Sequence, residues 1–307
     1  MYDILVAGEI NPDLILSGDV IPEFGQVEKL VESASLTIGS SSAIFACGAA
    51  RLGLGVVFIG KCGADLFGQF MLAEMQQKGV NIENVIVVPG GSTGLSVILN
   101  RSCGGAQGDR AILTHPGLIP TLRAEDIPDD LLRQARHLHV ASYFLQTALQ
   151  PGLPRLCERA CALGLTTSLD PNWDPAGAWR GFDELLPLIH VFLPNQAEAC
   201  SLVGVDDADL AAERLAVPVE TLAIKLGAAG ALGVRDGQKV RVPAIPVEVV
   251  DTVGAGDTFD AGFLYGYLNG WDLERSLRLA VVCGALSTRA AGGTAAQPTL
   301  DEALPYL

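Results

Sequence analysis

Positive charge is scarce in this sequence: 20 lysines and arginines stand against 35 aspartates and glutamates, which gives a net charge of −15. Phosphate backbones and anionic lipids attract proteins that present a basic face. The charge balance therefore predicts no nucleic-acid partner and no membrane partner. Apolar runs are also short, since none approaches the roughly 18 residues of a membrane-spanning helix.

Export signals, metal-binding cysteine pairs and linkers are missing as well. Residues 1–8 have neither the basic start nor the long apolar stretch of a signal peptide, and they predict a buried first strand. The seven cysteines are odd in number and include no C-x-x-C pair, so we interpret them as reduced thiols of a cytoplasmic protein. Because no repeat and no proline- or serine-rich linker divides the chain, we expect one domain over residues 1–307.

The sequence contains a regular alternation of short β-branched runs and helical stretches. Strands are predicted at residues 56–59, 165–169 and 191–193, and helices at residues 66–78 and 197–203. Parallel strands joined by helices form a sheet that is covered on both faces. The predicted fold class is therefore α/β, with a mostly parallel sheet sandwiched by helices.

Two segments interrupt this alternation. Residues 14–38 are strand-like and rich in turns, and residues 94–114 have the pattern of two strands around a loop at 101–108. Together they predict a small β lid, inserted at about residues 14–38 and 94–114 into a larger α/β body.

The most informative segment runs from residue 251 to 263 and reads DTVGAGDTFDAGF. A strand-like run at 247–250 precedes it, and a helix is predicted from the glycine turn to Leu268. Glycine lets backbone N–H groups converge, and the start of a helix adds partial positive charge. The pattern predicts that this turn binds an anion.

Asp257 directly follows this turn, although a carboxylate repels the phosphate that the turn attracts. Its position is explained if it is a general base that accepts the proton of a substrate hydroxyl while the turn stabilises the transferring phosphoryl group. The alternative is a helix whose first turn carries an aspartate because of the helix dipole. Asp251 and the helix that follows favour the catalytic interpretation.

Other nucleotide-binding motifs do not fit. Residues 55–62 match G-x-x-x-x-G-K but end in cysteine, and positions 56–59 are predicted as a strand, whereas a P-loop needs a flexible turn and a hydroxyl. The sequence contains no G-x-G-x-x-G either, which disfavours a dinucleotide-dependent dehydrogenase.

The sequence resembles the ribokinase-like carbohydrate kinases of the PfkB family. Residues 251–259 are similar to the C-terminal signature of that family, and residues 39–53, followed by 58–68, are similar to its N-terminal counterpart. The resemblance spans essentially the whole chain. It implies a ribokinase-like fold and an enzyme that uses ATP and Mg²⁺ to phosphorylate a hydroxyl, in particular a hydroxymethyl, of a sugar, sugar derivative or nucleoside.

The resemblance also implies roles for residues at the glycine turn. Asp257 corresponds to the catalytic base of the family, and residues 254–256 correspond to its anion hole. The Asp251 carboxylate and the Val253 carbonyl fall where many members hold a monovalent cation, so K⁺ is predicted as an optional further cofactor. A homodimer through the lid, as in many relatives, is the implied assembly.

A carboxylate that binds the sugar is expected after the first strand. Asp13, in the sequence GEINPD at residues 8–13, matches the sugar-binding carboxylate of the family and could accept hydrogen bonds from two neighbouring hydroxyls. The alternative is an Asn-Pro-Asp turn stabilised by its own side chains. The substrate-binding residues implied by the resemblance are Asn11, Asp13, Gly39 and Ser40.

Two positions depart from the family pattern. Ser40 stands where a second glycine is usual, and Ile44 stands where many sugar-phosphorylating members carry an asparagine that bonds substrate hydroxyls. We expect Ile44 to form an apolar wall that tolerates a deoxygenated edge of the substrate. The same two departures motivate an alternative function, a non-catalytic sensor of a sugar or nucleoside, which the retained Asp257 disfavours.

Nucleotide contacts are expected at two further places. Asn195 and Glu198 match an N-x-x-E element of the family near magnesium and the phosphates, where Glu198 would act on Mg²⁺ indirectly. The alternative is that the two residues cap the helix they begin. Residues 223–230 resemble the family strand and turn that lie against the nucleotide, which implies nucleotide-binding roles for Lys225, Gly227 and Gly230. The alternative for Lys225 is a surface lysine at a strand end.

Overall fold

The computed structural model describes residues 1–101 and 110–307. Its strands are, in chain order, β1 (Tyr2–Ala7), β2 (Pro12–Gly18), β3 (Ser33–Ile38), β4 (Val56–Ile59), β5 (Lys61–Gly63), β6 (Ile86–Val88), β7 (Leu95–Arg101), β8 (Arg110–His115), β9 (Ala135–Val140), β10 (Thr166–Leu169), β11 (Val191–Phe192), β12 (Thr221–Lys225), β13 (Ala231–Arg235) and β14 (Gln238–Val242).

The helices are α1 (Ser41–Arg51), α2 (Leu66–Gln77), α3 (Asp129–Leu132), α4 (Leu153–Ala162), α5 (Gln196–Val203), α6 (Ala208–Leu215), α7 (Ala255–Leu268), α8 (Leu273–Ser287) and α9 (Leu300–Ala303). Within residues 1–101 and 110–307, none of the helices combines the length and the apolar content needed to cross a membrane.

The main sheet has the strand order β14-β13-β12-β11-β10-β9-β1-β4. Neighbouring strands from β4 to β12 are parallel, and β13 and β14 are added antiparallel. In β1, Ile4 and Val6 pack in a core with α1, α7 and α8, whereas Leu5 and Ala7 pack in a second core with α4 and α6. Such strands are apolar on both faces, which explains their unbroken apolar runs. The predicted α/β class is confirmed.

A second sheet has the strand order β3-β2-β7-β8 and is formed by the segments predicted as a lid. Its register aligns Asp13 with Thr37, Ser96 and Thr114 on one face. The next row, which lies on the opposite face, consists of Leu14, Leu36, Val97 and Leu113. Most of the predicted loop at 101–108 lies outside the described residues.

The strand predicted at residues 247–250 is not formed, so that prediction is wrong. β14 ends at Val242, and Pro243 and Pro246 lack the N–H donors that a further strand would need. The chain from 243 to 254 is irregular instead, and Val250 N donates a hydrogen bond to Thr288 O just after α8 (2.8 Å). The segment thus lies across the end of α8 and leads directly into α7.

Candidate active site

The glycine turn before α7 has the backbone geometry that its sequence predicts. Gly254 has a φ of 71°, in the left-handed region, and a Cβ there would lie 2.7 Å from the Gly293 Cα. A glycine is required at such a position. Ala255 N donates a long hydrogen bond to Thr252 O (3.3 Å), whereas Gly256 N and Asp257 N, at the start of α7, have no helix carbonyl one turn earlier to which they could donate. The turn therefore has the form of an anion site.

Asp257 lies in the first turn of α7 and is buried. The Ser41 side chain, at the start of α1, forms a hydrogen bond with its carboxylate. Burial raises the pKa of Asp257 well above its usual range, the Asp170 charge raises it further, and the Lys225 charge opposes both. A carboxylate with a raised pKa is a better proton acceptor than an ordinary aspartate, as a general base needs to be.

Three buried carboxylates converge at this edge of the main sheet. Asp170 follows β10, whereas Asp257 and Asp260 lie one turn apart on α7, and one oxygen of each lies within 4.8 Å of the others. The Lys225 Nζ donates to Asp170 Oδ2 (2.8 Å) and to Asp260 Oδ2 (3.1 Å). Because this side chain is only 12% exposed, the interpretation of Lys225 as a surface lysine is wrong.

The sequence analysis missed Asp170 and Asp260, although each leaves a signal. Asp170 follows a predicted strand, and the carboxyl ends of parallel strands meet at one edge of a sheet. Asp260 is three positions after Asp257, which places both on one face of a helix. Neither signal reveals that a lysine from β12 reaches the same point, because that contact joins distant parts of the chain.

Asn195 and Glu198 form the capping arrangement that was the alternative to a role at the metal. Glu198 N donates to Asn195 Oδ1 (3.0 Å), and Asn195 N donates to Glu198 Oε2 (2.8 Å). Burial raises the pKa of Glu198 to about 7, and the Asp170 charge adds to this effect. The cap occupies Oε2, and the role of Glu198 toward Mg²⁺ stays a prediction.

The donor set around the turn fits a divalent cation. The buried carboxylates of Asp170, Asp257 and Asp260 lie together there, and Lys225 is paired with two of them. Carboxylate oxygens and phosphate oxygens are the ligands that Mg²⁺ prefers in kinases. A magnesium ion that arrives with ATP would therefore meet an excess of buried negative charge.

A cavity of about 470 Å³ opens beside Lys225, between the turn after β12, residues 244–249, α7 and α8. The predicted nucleotide-binding residues Lys225, Gly227 and Gly230 line this cavity, whereas Asn195 is outside its lining. Gly230 has a φ of 92°, and a Cβ there would lie 2.0 Å from Val242 O. Glycine is thus needed at position 230 to let the two strands approach.

The outer wall of the cavity is apolar. Ile245, Val247 and Val249 come from the segment after β14, and Val281 comes from α8. Apolar walls of this kind suit the flat ring of a nucleotide base. The segment mistaken for a strand therefore serves as a wall of the cavity.

The predicted substrate-binding residues lie together where the two sheets meet. Asn11 Nδ2 forms a long hydrogen bond to Asp13 Oδ1 (3.5 Å) and another to Ser96 Oγ (3.3 Å). A Cβ on Gly39 would lie 2.2 Å from Asp13 Oδ1, so the glycine lets this carboxylate approach the backbone. Because residues 12–18 form β2, the alternative of an Asn-Pro-Asp turn is wrong.

A chain of polar contacts that the sequence analysis missed connects this region to Asp257. Ser42 N and Ser142 Oγ donate to Glu9 Oε1 (3.2 and 2.9 Å). Ser142 N donates to Asn172 Oδ1 (2.9 Å), and Asn172 Nδ2 donates to Ser41 Oγ (2.8 Å). Ser41 in turn bonds Asp257. Asp257 is therefore anchored in a wall of polar side chains.

Backbone strain is concentrated along the same wall. Ser40, Ser142 and Asn172 have φ values of 66°, 52° and 53°, which are unusual for residues other than glycine. Strained backbone of this kind persists where surrounding contacts fix it, and it gathers at functional sites.

Ile44, which we expect to form an apolar wall of the acceptor pocket, packs against the glycine turn. Its side chain is 3% exposed and packs in the core with α7. A Cβ on Gly254 would lie 2.9 Å from Ile44 Cγ2, and one on Gly293 would lie 2.5 Å from Ile44 Cδ1. Ile44 therefore supports the glycine turn, and its contact with the substrate stays a prediction.

Asp251 joins two loops near the turn. Val253 N donates to Asp251 Oδ1 (3.0 Å), and Gly292 N donates to Asp251 Oδ2 (2.9 Å). Binding of a monovalent cation by the Asp251 carboxylate and the Val253 carbonyl stays a prediction.

Comparison with known proteins gives the family to which this chain belongs. The family model described as pfkB family carbohydrate kinase matches residues 1–300, and the chain belongs to that family. An ATP-dependent ribose-1-phosphate kinase of Halopiger xanaduensis is 31% identical over 315 aligned residues, covering 100% of this chain and 98% of that protein. A ribokinase of Haemophilus influenzae is 28% identical, covering 98% and 97%.

A solved structure from E. coli, in complex with ATP and Mg²⁺, superposes with a TM-score of 0.86 at 23% identity, covering 100% of this chain and 99% of that one. The likeness confirms the ribokinase-like fold. Family membership confirms the predicted enzyme class, an ATP-dependent carbohydrate kinase. The predicted cofactors, ATP and Mg²⁺, are the pair bound in the E. coli structure.

Proposed function

We propose that this kinase transfers the γ-phosphate of ATP to a hydroxymethyl group of a ribose-type sugar, either free or substituted at its anomeric carbon. The names of the two full-length relatives, a ribose-1-phosphate kinase and a ribokinase, support this substrate class. One observation carries the proposal. Asp257 follows the turn that borders the nucleotide cavity, and its carboxylate is bonded to Ser41, next to Gly39 and Ser40.

In the proposed mechanism Asp257 accepts the proton of the sugar hydroxyl as the hydroxyl oxygen forms a bond to the γ-phosphorus. The bond between that phosphorus and the bridging oxygen of ADP breaks, so that ADP leaves. The amides of residues 254–256 hold the charge on the transferring group. When bound, Mg²⁺ neutralises charge on the phosphates. Burial of Asp257 keeps water away from the base.

The roles of the remaining residues follow from their positions. Gly227 and Gly230 let the nucleotide approach the backbone beside β12, and Glu198 acts toward the metal from its capped position. Asp13 accepts hydrogen bonds from sugar hydroxyls, with Asn11 beside it. A monovalent cation such as K⁺ at Asp251 would stiffen the turn that carries the anion hole.

The four-stranded sheet is proposed as a lid and as the contact of a homodimer. Asp13 brings one face of this sheet to the acceptor pocket. The opposite face carries a row of apolar side chains, of which Leu113 is 62% exposed. A second copy that covers this face would remove apolar surface from water.

We also place the enzyme in the cytoplasm. The six cysteines within the described residues carry free thiols, and burial raises the pKa of Cys62 to about 11, so this thiol stays protonated and unreactive. Buried, reduced cysteines are typical of proteins that work where ATP is plentiful and thiols are kept reduced.

Purified enzyme, assayed with Mg²⁺–ATP and a panel of ribose, 2-deoxyribose, ribose 1-phosphate and adenosine, tests the proposal. We expect turnover on at least one ribose-type acceptor and a loss of about 10²–10⁴ in kcat for Asp257→Asn, with ATP affinity nearly unchanged. Asp272→Asn, at the exposed N-cap of α8, is the control. Sugar binding without turnover in the wild-type protein would favour the non-catalytic sensor instead.

A further inference from the structure

Lys225 occupies the position of a cation within a cluster of carboxylates. Oxygens of Asp170, Asp257 and Asp260 lie within 4.8 Å of one another, a spacing that suits a metal ion. The Lys225 ammonium bonds to two of the three at 2.8 and 3.1 Å. The positive charge among these carboxylates is thus supplied by the protein itself.

The same ammonium lies against the anion hole. A Cβ on Gly256 would be 3.7 Å from Lys225 Nζ and 3.6 Å from Lys225 Cδ, so the lysine side chain runs directly beside this glycine. Lys225 also lines the nucleotide cavity. A phosphoryl group held by the amides of residues 254–256 would therefore meet a fixed positive charge.

Burial of a lysine needs a compensating interaction, because an ammonium loses its hydration there. Asp170 and Asp260 provide it: their side chains are 3% and 1% exposed, and they come from different elements, the end of β10 and the second turn of α7. Burial by itself lowers the pKa of Lys225, but the Asp170 and Asp260 charges outweigh it, so the lysine stays charged.

We propose that Asp170 and Asp260 are positioning residues for phosphoryl transfer, which hold the Lys225 ammonium against the anion hole as a fixed cation for the transferring phosphoryl group. The inference rests on the proposed function and adds to it a cation that is part of the chain. Charge grows on the oxygens of the transferring group in the transition state, and a charge already in place stabilises it without reorganisation.

The test compares Lys225→Ala, Lys225→Arg, Asp260→Asn and the wild-type enzyme. We expect kcat to fall about 10²–10³-fold in Lys225→Ala and about 10-fold or more in Asp260→Asn, while the KM for the sugar changes less than about threefold, because the cation acts in the transition state. Lys225→Arg should retain more activity than Lys225→Ala. Ammonium or methylammonium ions added to Lys225→Ala should restore part of its kcat.

The matched control is an ion pair of the same charges far from the site, between Lys239 Nζ and Asp209 Oδ1 (2.5 Å). Lys239→Ala should leave kcat unchanged and should not respond to added amines. Thermal unfolding of every variant separates loss of chemistry from loss of folded enzyme. If Lys225→Ala keeps kcat within threefold of the wild type, or loses activity only in proportion to its folded fraction, the proposal is overturned.

Two readouts keep this proposal distinct from the proposed function. The sugar panel tests which acceptor the wild-type enzyme uses. Slow hydrolysis of ATP by water, measured without any sugar, also passes through transfer of the γ-phosphoryl group, so the ratio of variant to wild-type rates can be obtained even if no acceptor on the panel is used. An unchanged hydrolysis rate in Lys225→Ala would contradict the role of the lysine and leave the acceptor assignment standing.

Discussion

At the scale of the residue, Ser40 shows how this chain departs from its family while keeping the local structure. Its φ of 66° lies in a backbone region that glycine adopts readily and that serine adopts only with strain. Its Oγ donates to Glu9 O (2.6 Å) and accepts a hydrogen bond from Ala43 N (3.0 Å), which caps α1. The two hydrogen bonds offset the strain that a glycine would not have.

We therefore expect Ser40→Ala to lose the cap and keep the strain, and Ser40→Gly to lose both. The glycine variant should exceed the alanine variant in free energy of unfolding by about 2 kcal/mol or more. Urea denaturation measures the difference. Asp207, which caps α6 at an ordinary φ of −115°, is the control, and the same pair of substitutions there should differ by about 1 kcal/mol or less. Equal differences at the two caps would show that Ser40 is unstrained.

Glu198 gives a residue-scale prediction about pH. Its pKa in the folded protein is raised from 4.5 to about 7, so the folded state favours the protonated carboxyl. That stabilisation is fully present below pH 4.5 and is lost as the pH rises through 7. Glu198→Gln mimics the protonated form and keeps an acceptor for Asn195 N. Relative to the wild type, the variant should therefore gain about 1–3 kcal/mol of stability between pH 5 and pH 8.

Denaturation at pH 5 and pH 8 measures this gain. Glu302 is a matched control, because it fills the same position in the capping box of α9 but is exposed, and its backbone hydrogen bond at Thr299 lowers its pKa. Glu302→Gln should not show a gain as the pH rises. The same difference from the wild type at both pH values for Glu198→Gln would contradict the prediction.

At the scale of the element, the sequence analysis was right where a pattern is local. The strands at 56–59, 165–169 and 191–193 and the helix that ends at Leu268 are found within one residue of their predicted bounds. The run at 247–250 was mistaken for a strand because its β-branched residues suit one, whereas the prolines before it prevent pairing. The sequence did not predict the contacts of Lys225 with Asp170 and Asp260, because the three residues come from elements that are distant in the chain.

The contact between α1 and the turn of α7 leads to a prediction at this scale. Ile44→Asn would place an amide against Gly254 and Gly293, where the isoleucine is buried. We expect a loss of about 2–4 kcal/mol in stability and a lower kcat on every acceptor alike, with the ranking of hydroxy and deoxy sugars unchanged. Measurement of kcat/KM for ribose and 2-deoxyribose, together with urea denaturation, tests both parts.

Ile44→Val is the control for this substitution. It removes one methylene group without adding a polar atom, so it should cost about 0.5–1.5 kcal/mol and leave the ranking of acceptors as it is. A shift of Ile44→Asn toward the more hydroxylated sugar would show that position 44 contacts the substrate.

At the scale of the whole molecule, the proposed acceptor pocket is built from two sheets. The main sheet supplies Asp170 and the start of α7, and the four-stranded sheet supplies Asp13. The positions of the side chains on the two faces of the smaller sheet are linked. Asp13 and Leu14 are consecutive residues of β2, and their side chains point to opposite faces. Anything that covers the outer apolar face would therefore also restrict the position of Asp13, the proposed sugar-binding carboxylate.

This coupling predicts that a homodimer through the lid affects substrate binding. Leu113→Asp places a charge in the outer row of the sheet, so a dimer that uses this face should dissociate. The variant should sediment as a monomer in analytical ultracentrifugation and show a higher KM for the sugar, with kcat at saturation little changed. Leu210→Asp, on the exposed side of α6, is the control and should keep both the sedimentation coefficient and the KM of the wild type. A wild-type protein that sediments as a monomer, or a Leu113→Asp variant that stays dimeric, would show that this face of the lid is not the contact.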